Sequence, residues 1–186
     1  MKVGIIGYGF VGSALKNGLK DNVEVLKIDP KLNTNISMLK TFNPDIIFLC
    51  LPTPVSDDGS LQDISKLEEA IKDIIAMKMS CLVVIKSTVL PNYLKSISSL
   101  YGKLIHNPEF LREVSADEDF INSKLIVFGG EMKYAKTLAS FYKKYTKCIY
   151  DDYIFTDIIS ASFIKYTINS FLSTKVIFFN ELKKLF

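Results

Sequence analysis

Cysteine is scarce in this chain and badly spaced for cross-linking. Cys50, Cys81 and Cys148 are an odd set, far apart and without a CxxC pair, which excludes a disulfide framework and a zinc site and points to a reducing compartment. A single histidine, His106, closes an apolar run beside Asn107 and reads as structural rather than catalytic. Neither sign of charge dominates: Lys plus Arg number 23 against 20 Asp plus Glu, a net charge of +3. That excess is too small for the basic stripe that nucleic acid requires, although small phosphate-bearing ligands stay open. No apolar run is long enough for a membrane span, and the opening MKVGIIGYG is short and broken by glycines, so it reads neither as a signal peptide nor as an anchor. A cytoplasmic protein is the expectation. Internal repeats, low-complexity tracts and flexible linkers are also missing. What is plentiful is apolar surface, 48% of 186 residues, enough to bury the core of one ordinary domain plus an appendage.

The apolar residues fall into a repeating pattern. Val3 to Ile6 is a short β-branched run ended by glycine, and Val11 to Leu19 follows at helical spacing, so a strand, a tight turn and a helix open the chain. Further buried-type strands are expected at Val23 to Ile28, Ile46 to Leu51, Cys81 to Ile85, Leu104 to His106 and Leu125 to Phe128, with another ending near Cys148. Helical patterns separate most of them. One of these, Ile64 to Met77, has Asp63 as its cap and puts Leu67, Ala70, Ile71, Ile74 and Ile75 on one side. Alternation of this kind predicts an α/β fold, a Rossmann-type, doubly wound and mainly parallel sheet over residues 1–152. Residues 153–186 read as a second unit: from about Phe155 proline and glycine disappear, and the spacing predicts one long C-terminal helix of roughly 45 Å at 1.5 Å per residue. Its apolar stripe is too wide for one face, which implies a packing partner; a second copy of the chain is the expected one.

Gly7-Tyr8-Gly9-Phe10-Val11-Gly12 is a GxGxxG set between a predicted strand and a predicted helix, the context in which the pattern carries meaning. Gly7 permits the tight turn, Gly9 lets the backbone approach a pyrophosphate, and Gly12 lets helix and strand pack closely, leaving the amides around Phe10 and Val11 aimed at phosphate. Asp29 ends the second strand, 17 residues past Gly12, where a carboxylate accepts from both ribose hydroxyls and repels a 2′-phosphate. NAD is therefore the expected cofactor over NADP, with Lys31 as the one residue arguing the other way. No metal site is expected.

Four further stretches resemble the UDP-glucose/GDP-mannose dehydrogenase family in order and approximate spacing. They are Leu51-Pro52-Thr53-Pro54 with Asp58-Gly59 and Asp63; Lys86-Ser87-Thr88-Val89; Asn107-Pro108-Glu109-Phe110-Leu111-Arg112-Glu113 with Ala116, Asp119 and Phe120; and Lys165-Tyr166 with Asn169, Phe171-Leu172, Lys175 and Phe179-Asn180-Glu181. The resemblance implies an oxidoreductase of polysaccharide biosynthesis that takes a UDP- or GDP-linked sugar from C6 alcohol to uronate: two hydrides leave to NAD, and a cysteine holds the intermediate as a thioester. It assigns Pro52, Thr53 and Thr88 to the cofactor wall and puts Glu113 near the cofactor. Thr88 would also hold a relay water. Glu109 would be general base toward the hydrolytic water, if partial burial raises its pKa. Lys165 and Asn169, four apart and so on one helix face, would donate to a developing oxyanion. Arg112 would pair with these carboxylates or with a ligand phosphate.

Blander readings compete at each position. Lys165 and Asn169 fit a solvated helix face, Glu109 and Glu113 fit exposed residues of a helix started by Pro108, and Thr88 fits a cap for the helix near Pro91. The three cysteines read as small core hydrophobes rather than activated thiols. The chain stops within its long helix, before the family's nucleophile and most of its sugar-nucleotide site. It also has Val114, Asn122-Ser123-Lys124 and Ser162 where the family has a glycine, a Pro-acid-Arg run and a glutamate. The resemblance thus implies the NAD-binding portion of a nucleotide-sugar dehydrogenase, needing a second domain for substrate. The alternatives are a non-catalytic NAD-binding or partner-pairing homologue and a β-hydroxyacid-dehydrogenase-like oxidoreductase, the last of which leaves Asn107 to Glu113 unexplained.

Overall fold

The structure, a computed structural model, describes residues 1–59 and 61–186. Seven strands, β1 (Lys2–Ile6), β2 (Glu24–Ile28), β3 (Ile46–Leu49), β4 (Leu82–Ile85), β5 (Leu104–His106), β6 (Ile126–Gly130) and β7 (Tyr153–Thr156), form one sheet in the order β2-β1-β3-β4-β5-β6-β7. The first five run parallel, β6 is antiparallel to β5, and β7 is parallel to β6. Every residue of β3 and β4 is buried, as expected of central parallel strands covered on both faces.

Helices α1 (Phe10–Asn17), α5 (Ala116–Ile121) and α6 (Met132–Tyr145) cover one face, where Leu15, Phe120, Leu138 and Tyr142 meet Ile5, Phe48 and Phe128. Helices α2 (Met38–Phe42), α3 (Ser65–Ala76) and α4 (Pro91–Leu100) cover the other, where Leu39, Leu67, Ile71 and Ile97 meet Ile47, Leu49 and Val83. The expected doubly wound α/β architecture is therefore present. Along α3 the packed stripe is Leu67, Ala70, Ile71 and Ile74, with Ile75 turned to solvent instead of inward. Asp63 accepts from the Ser65 amide at 2.9 Å, one residue ahead of the position that caps the helix.

The chain departs from the sequence reading at three further places. Residues 107–112 are not helical, and Glu113–Ser115 is a single 3-10 turn, so Glu109 and Glu113 do not share a helix face. Cys148 lies in the loop between α6 and β7 rather than near the end of a strand. The tail is not helical from its start. Tyr153–Thr156 is an edge strand whose Tyr153 and Phe155 rings rest on Phe128, 5.1 and 6.0 Å between centroids. Only then does α7 (Ile158–Lys183) begin, capped by Asp157, whose carboxylate accepts from the Ile159 and Ser160 amides at 2.9 Å each. Four β-prone residues directly before a long apolar helix merge with it by composition; pairing to β6 separates them.

Helix α7 spans 26 residues, about 39 Å at 1.5 Å per residue. Its first turns pack on α4 and β6 and bury Ala161, Ser162 and Lys165. From Asn169 onward every residue is exposed, including Phe171, Ile177, Phe178 and Phe179. Among the described residues no helix is long and apolar enough to cross a membrane.

Candidate functional site

The chain passes from β1 to β2 on one side and then to β3 on the other, so the sheet order reverses at β1. A crevice of about 790 Å³ opens at this switch point, at the carboxyl ends of β1, β2, β3 and β4, where open α/β sheets accept ligands. Its floor is the turn between β1 and α1. Gly7 has φ +87°, and a Cβ there would overlap the Cys50 carbonyl. A Cβ on Gly12 would overlap the Gly7 carbonyl. Both glycines are thus demanded by the fold. Gly9 differs: its φ is −80° and a Cβ would meet nothing within 4 Å. The first intrahelical bond runs from the Ser13 amide to the Gly9 carbonyl at 2.9 Å, so the amides before it, including Phe10, Val11 and Gly12, lack intrahelical partners and stand at the positive end of the helix dipole.

Asp29 stands on the crevice wall. Its two carboxylate oxygens accept from the Tyr8 amide at 2.8 Å and the Lys31 amide at 2.9 Å. These bonds hold its carboxyl below the usual range, so it is anionic near neutrality with lone pairs to spare. Phe10, Val11, Pro52, Thr53, Thr88 and Glu109 also border the crevice, as does Lys31. Amides able to receive a diphosphate lie beside an acid able to receive ribose hydroxyls, an arrangement that fits a dinucleotide.

The loops after β3 and β4 are laced together. Thr53 Oγ1 donates to the Thr88 carbonyl at 2.7 Å, and Ser87 Oγ to the Leu51 carbonyl at 2.6 Å. Gln62, buried, donates to the Thr88 carbonyl at 2.9 Å and accepts from the Leu90 amide at 2.9 Å. Sequence reasoning missed Gln62, because a lone glutamine in a polar loop carries no pattern. Leu90, not Thr88, occupies the capping position of α4. Ser162 Oγ donates to the Val89 carbonyl at 2.6 Å, fastening α7 to the same loop.

Behind the crevice lies a charged pair. Lys165 Nζ donates to the Glu109 carbonyl at 2.5 Å and to Glu109 Oε1 at 3.3 Å, and sits 5.1 Å from the Phe110 ring centroid. The two side chains are only 6% and 10% exposed. Lys165 is therefore not on a solvated helix face. Asn169, one turn on, is exposed. Lys86 is buried too, donating a hydrogen bond to Asn107 Oδ1 at 3.1 Å.

Other anticipated residues lie apart from this site. Glu113 is exposed and does not border the crevice. Arg112 is held by Asp119, through two guanidinium bonds of 3.0 and 2.7 Å, rather than by Glu109, Glu113 or the crevice. Burial pushes the Cys50 thiol up to about 12 and raises those of Cys81 and Cys148, so no thiol here is an activated nucleophile. His106 is fully buried, with Nε2 3.2 Å from the Ser87 carbonyl, and burial depresses its pKa to about 3. Among the described residues no three His, Cys, Asp or Glu are grouped as metal ligands.

Comparison with known proteins agrees with this geometry. Residues 15–149 match the UDP-glucose/GDP-mannose dehydrogenase family, NAD binding domain. Over 170 residues the chain is 36% identical to a UDP-glucose 6-dehydrogenase of Rickettsia conorii, covering 87% of this chain and 38% of that protein. It superposes on a UDP-glucose dehydrogenase of Pyrobaculum islandicum with a TM-score of 0.77 and 25% identity, covering 97% of this chain and 52% of the other. A GDP-mannose dehydrogenase of Pseudomonas aeruginosa shares the fold, with a TM-score of 0.79, 24% identity and coverage of 97% and 52%. The chain thus spans about two-fifths of the length of that curated relative and about half of those solved chains.

Proposed function

This chain belongs to the UDP-glucose/GDP-mannose dehydrogenase family and carries its NAD-binding domain, and we propose that it forms the cofactor-holding part of a nucleotide-sugar 6-dehydrogenase. The reaction is oxidation of the C6 alcohol of a UDP- or GDP-linked sugar toward the uronate, in the cytoplasm and toward polysaccharide biosynthesis. The observation that carries this reading is the convergence of the α1 amides, Asp29, Thr88 and Glu109 on one crevice. Bound NAD supplies the oxidising equivalent, taking up a hydride. The amides at Gly9 to Val11 would receive its diphosphate and Asp29 its ribose, while Pro52 and Thr53 wall the pocket and Thr88 offers a hydroxyl to a relay water. Glu109, with one carboxylate oxygen on Lys165 and the other without a partner among the described residues, would take a proton from an attacking water. Lys165 keeps one N–H beyond its two bonds to Glu109, and with Asn169 would donate to a developing oxyanion. Glu113 would reach the cofactor only if its 3-10 turn moved. Capture of an intermediate by thiol is not assigned to any cysteine of this chain.

Family membership sets aside the β-hydroxyacid dehydrogenase reading. A partner-pairing role keeps one observation of its own, the exposed apolar half of α7. In either case the occupant of that face is proposed to be a second copy, giving a homodimer. Calorimetric titration should show NAD binding well ahead of NADP. Turnover of UDP-glucose or GDP-mannose is expected when the substrate-binding portion of a relative is added to this chain. No binding of NAD would end the proposal; binding with no turnover in the mixture would leave the non-catalytic reading. Sedimentation that finds a monomer at micromolar concentration would refute the dimer.

A further inference from the structure

Glu109 borders two spaces. One is the dinucleotide crevice; the other is a separate cavity of about 20 Å³, lined also by Lys86, Asn107, Tyr142 and Cys148. A space of this size admits a single water, for which about 10–15 Å³ suffices. Two charged residues of its lining have hydrogen-bonding capacity left over. Glu109 Oε2 is buried and, among the described residues, has no partner, because Lys165 takes only Oε1 and the main-chain carbonyl. Lys86 Nζ has three N–H donors and uses one on Asn107 Oδ1. Asn107 Oδ1 cannot accept more, since it also accepts from Tyr142 Oη at 2.6 Å, and one N–H of Nδ2 donates to the Val127 carbonyl at 2.9 Å. A buried carboxylate with an unpartnered oxygen and a buried ammonium with N–H groups to spare therefore both line one water-sized space.

We propose that this cavity holds one ordered water, which accepts from Lys86 Nζ and donates to Glu109 Oε2, making Lys86 a positioning residue for the Glu109 carboxylate. The water completes the coordination that both groups lack and couples the Lys86 charge to the carboxylate. The groups facing Glu109 come from every element packed around it. Lys165 comes from α7, Lys86 from the end of β4, Cys50 from the loop after β3, Tyr142 from α6 and Cys148 from the loop after α6, while His106 of β5 stands by the two lysines rather than by Glu109 itself. Burial raises the two thiols and the Tyr142 phenol and depresses His106 to about 3, so these four are neutral near pH 7. Burial also lowers the Lys86 pKa, and the Glu109 carboxylate opposes that shift. The two lysines are then the charged groups beside Glu109. Any use of Glu109 as a base rests on the proposed dehydrogenase reading; the water and its Lys86 anchor do not.

The test uses the 186-residue chain without cofactor or substrate. A crystal structure that resolves ordered water should show one peak within hydrogen-bonding distance of both Lys86 Nζ and Glu109 Oε2; density without such a peak overturns the water. Carboxyl NMR on ¹³C-glutamate-labelled protein, with the Glu109 resonance identified through Glu109→Gln, then reads the coupling. In Lys86→Met the Glu109 midpoint should rise by about one pH unit, a tenfold gain in proton affinity, while Lys86→Arg should stay near wild type. A purely structural Lys86 would lower the melting temperature and leave the Glu109 midpoint in place, which would refute the positioning role. If Lys86→Met does not fold, Lys86→Gln serves the same comparison and the wild-type water peak still decides. NAD titration of the wild-type chain separates the readings, since failure of the water leaves cofactor binding untouched.

Discussion

Alanine at Gly9 and alanine at Gly12 should fail in opposite ways. The Gly9 backbone, φ −80° and ψ −158°, is open to any residue, and an added Cβ enters free space on the crevice side. In the absence of ligand, Gly9→Ala should be neutral or stabilise by about 0.4–1 kcal/mol, through lost freedom of the unfolded chain. With NAD present, the same methyl stands where a diphosphate must approach, and crowding of that kind costs about 2 kcal/mol, roughly thirty-fold in Kd. At a concentration of about 100 times the wild-type Kd, NAD should stabilise wild type by about 2.7 kcal/mol and the variant by about 0.9 kcal/mol. For a chain of this length those figures correspond to melting shifts of about 8 °C and about 3 °C. Gly12→Ala instead drives a methyl into the Gly7 carbonyl, so the ligand-free protein itself should lose about 1–3 kcal/mol. Thermal unfolding of the three proteins with and without NAD measures both effects. Wild-type affinity in Gly9→Ala, or ligand-free destabilisation equal to that of Gly12→Ala, would refute the division between a glycine kept for the ligand and one kept for the fold.

Four other outcomes follow from particular contacts. Lys165→Ala strands a buried carboxylate and should cost about 3–5 kcal/mol, whereas Lys143→Ala, which breaks the exposed pair with Asp151, should leave stability nearly unchanged; chemical denaturation compares them. Ser162→Ala removes a buried bond to the Val89 carbonyl and should lower stability by about 1–2 kcal/mol, read as the urea midpoint. The ring of His106, depressed to about 3, should show no imidazole titration by NMR between pH 8 and 5. The unfolded chain takes up that proton near its ordinary 6.5, so this residue's contribution to stability is present above that value and declines as pH falls toward 3. Asp29→Asn should weaken NAD binding and reduce the preference over NADP in calorimetry, because the carboxylate on the crevice wall is what repels a 2′-phosphate.

Local pattern was enough for the periodic parts of this protein. Runs such as Ile46 to Leu49 and Leu82 to Ile85 are apolar at every position because central parallel strands bury both faces, and GxGxxG between strand and helix places the crevice without knowledge of the rest. The same logic located Asp29 and the alternation that makes a doubly wound sheet. It could not separate Tyr153–Thr156 from the helix that follows, since that strand exists only through its pairing with β6 and its contact with Phe128. Nor could it tell a solvated Lys165 from a buried one: spacing sets a helix face, but only the docking of α7 decides that the face meets Glu109. Gln62, the Arg112–Asp119 pair and the Lys86–Asn107–Tyr142 chain of bonds are likewise invisible along the chain. Each joins groups that tertiary packing brings together, and a desolvated polar side chain takes its meaning from the partner it finds there.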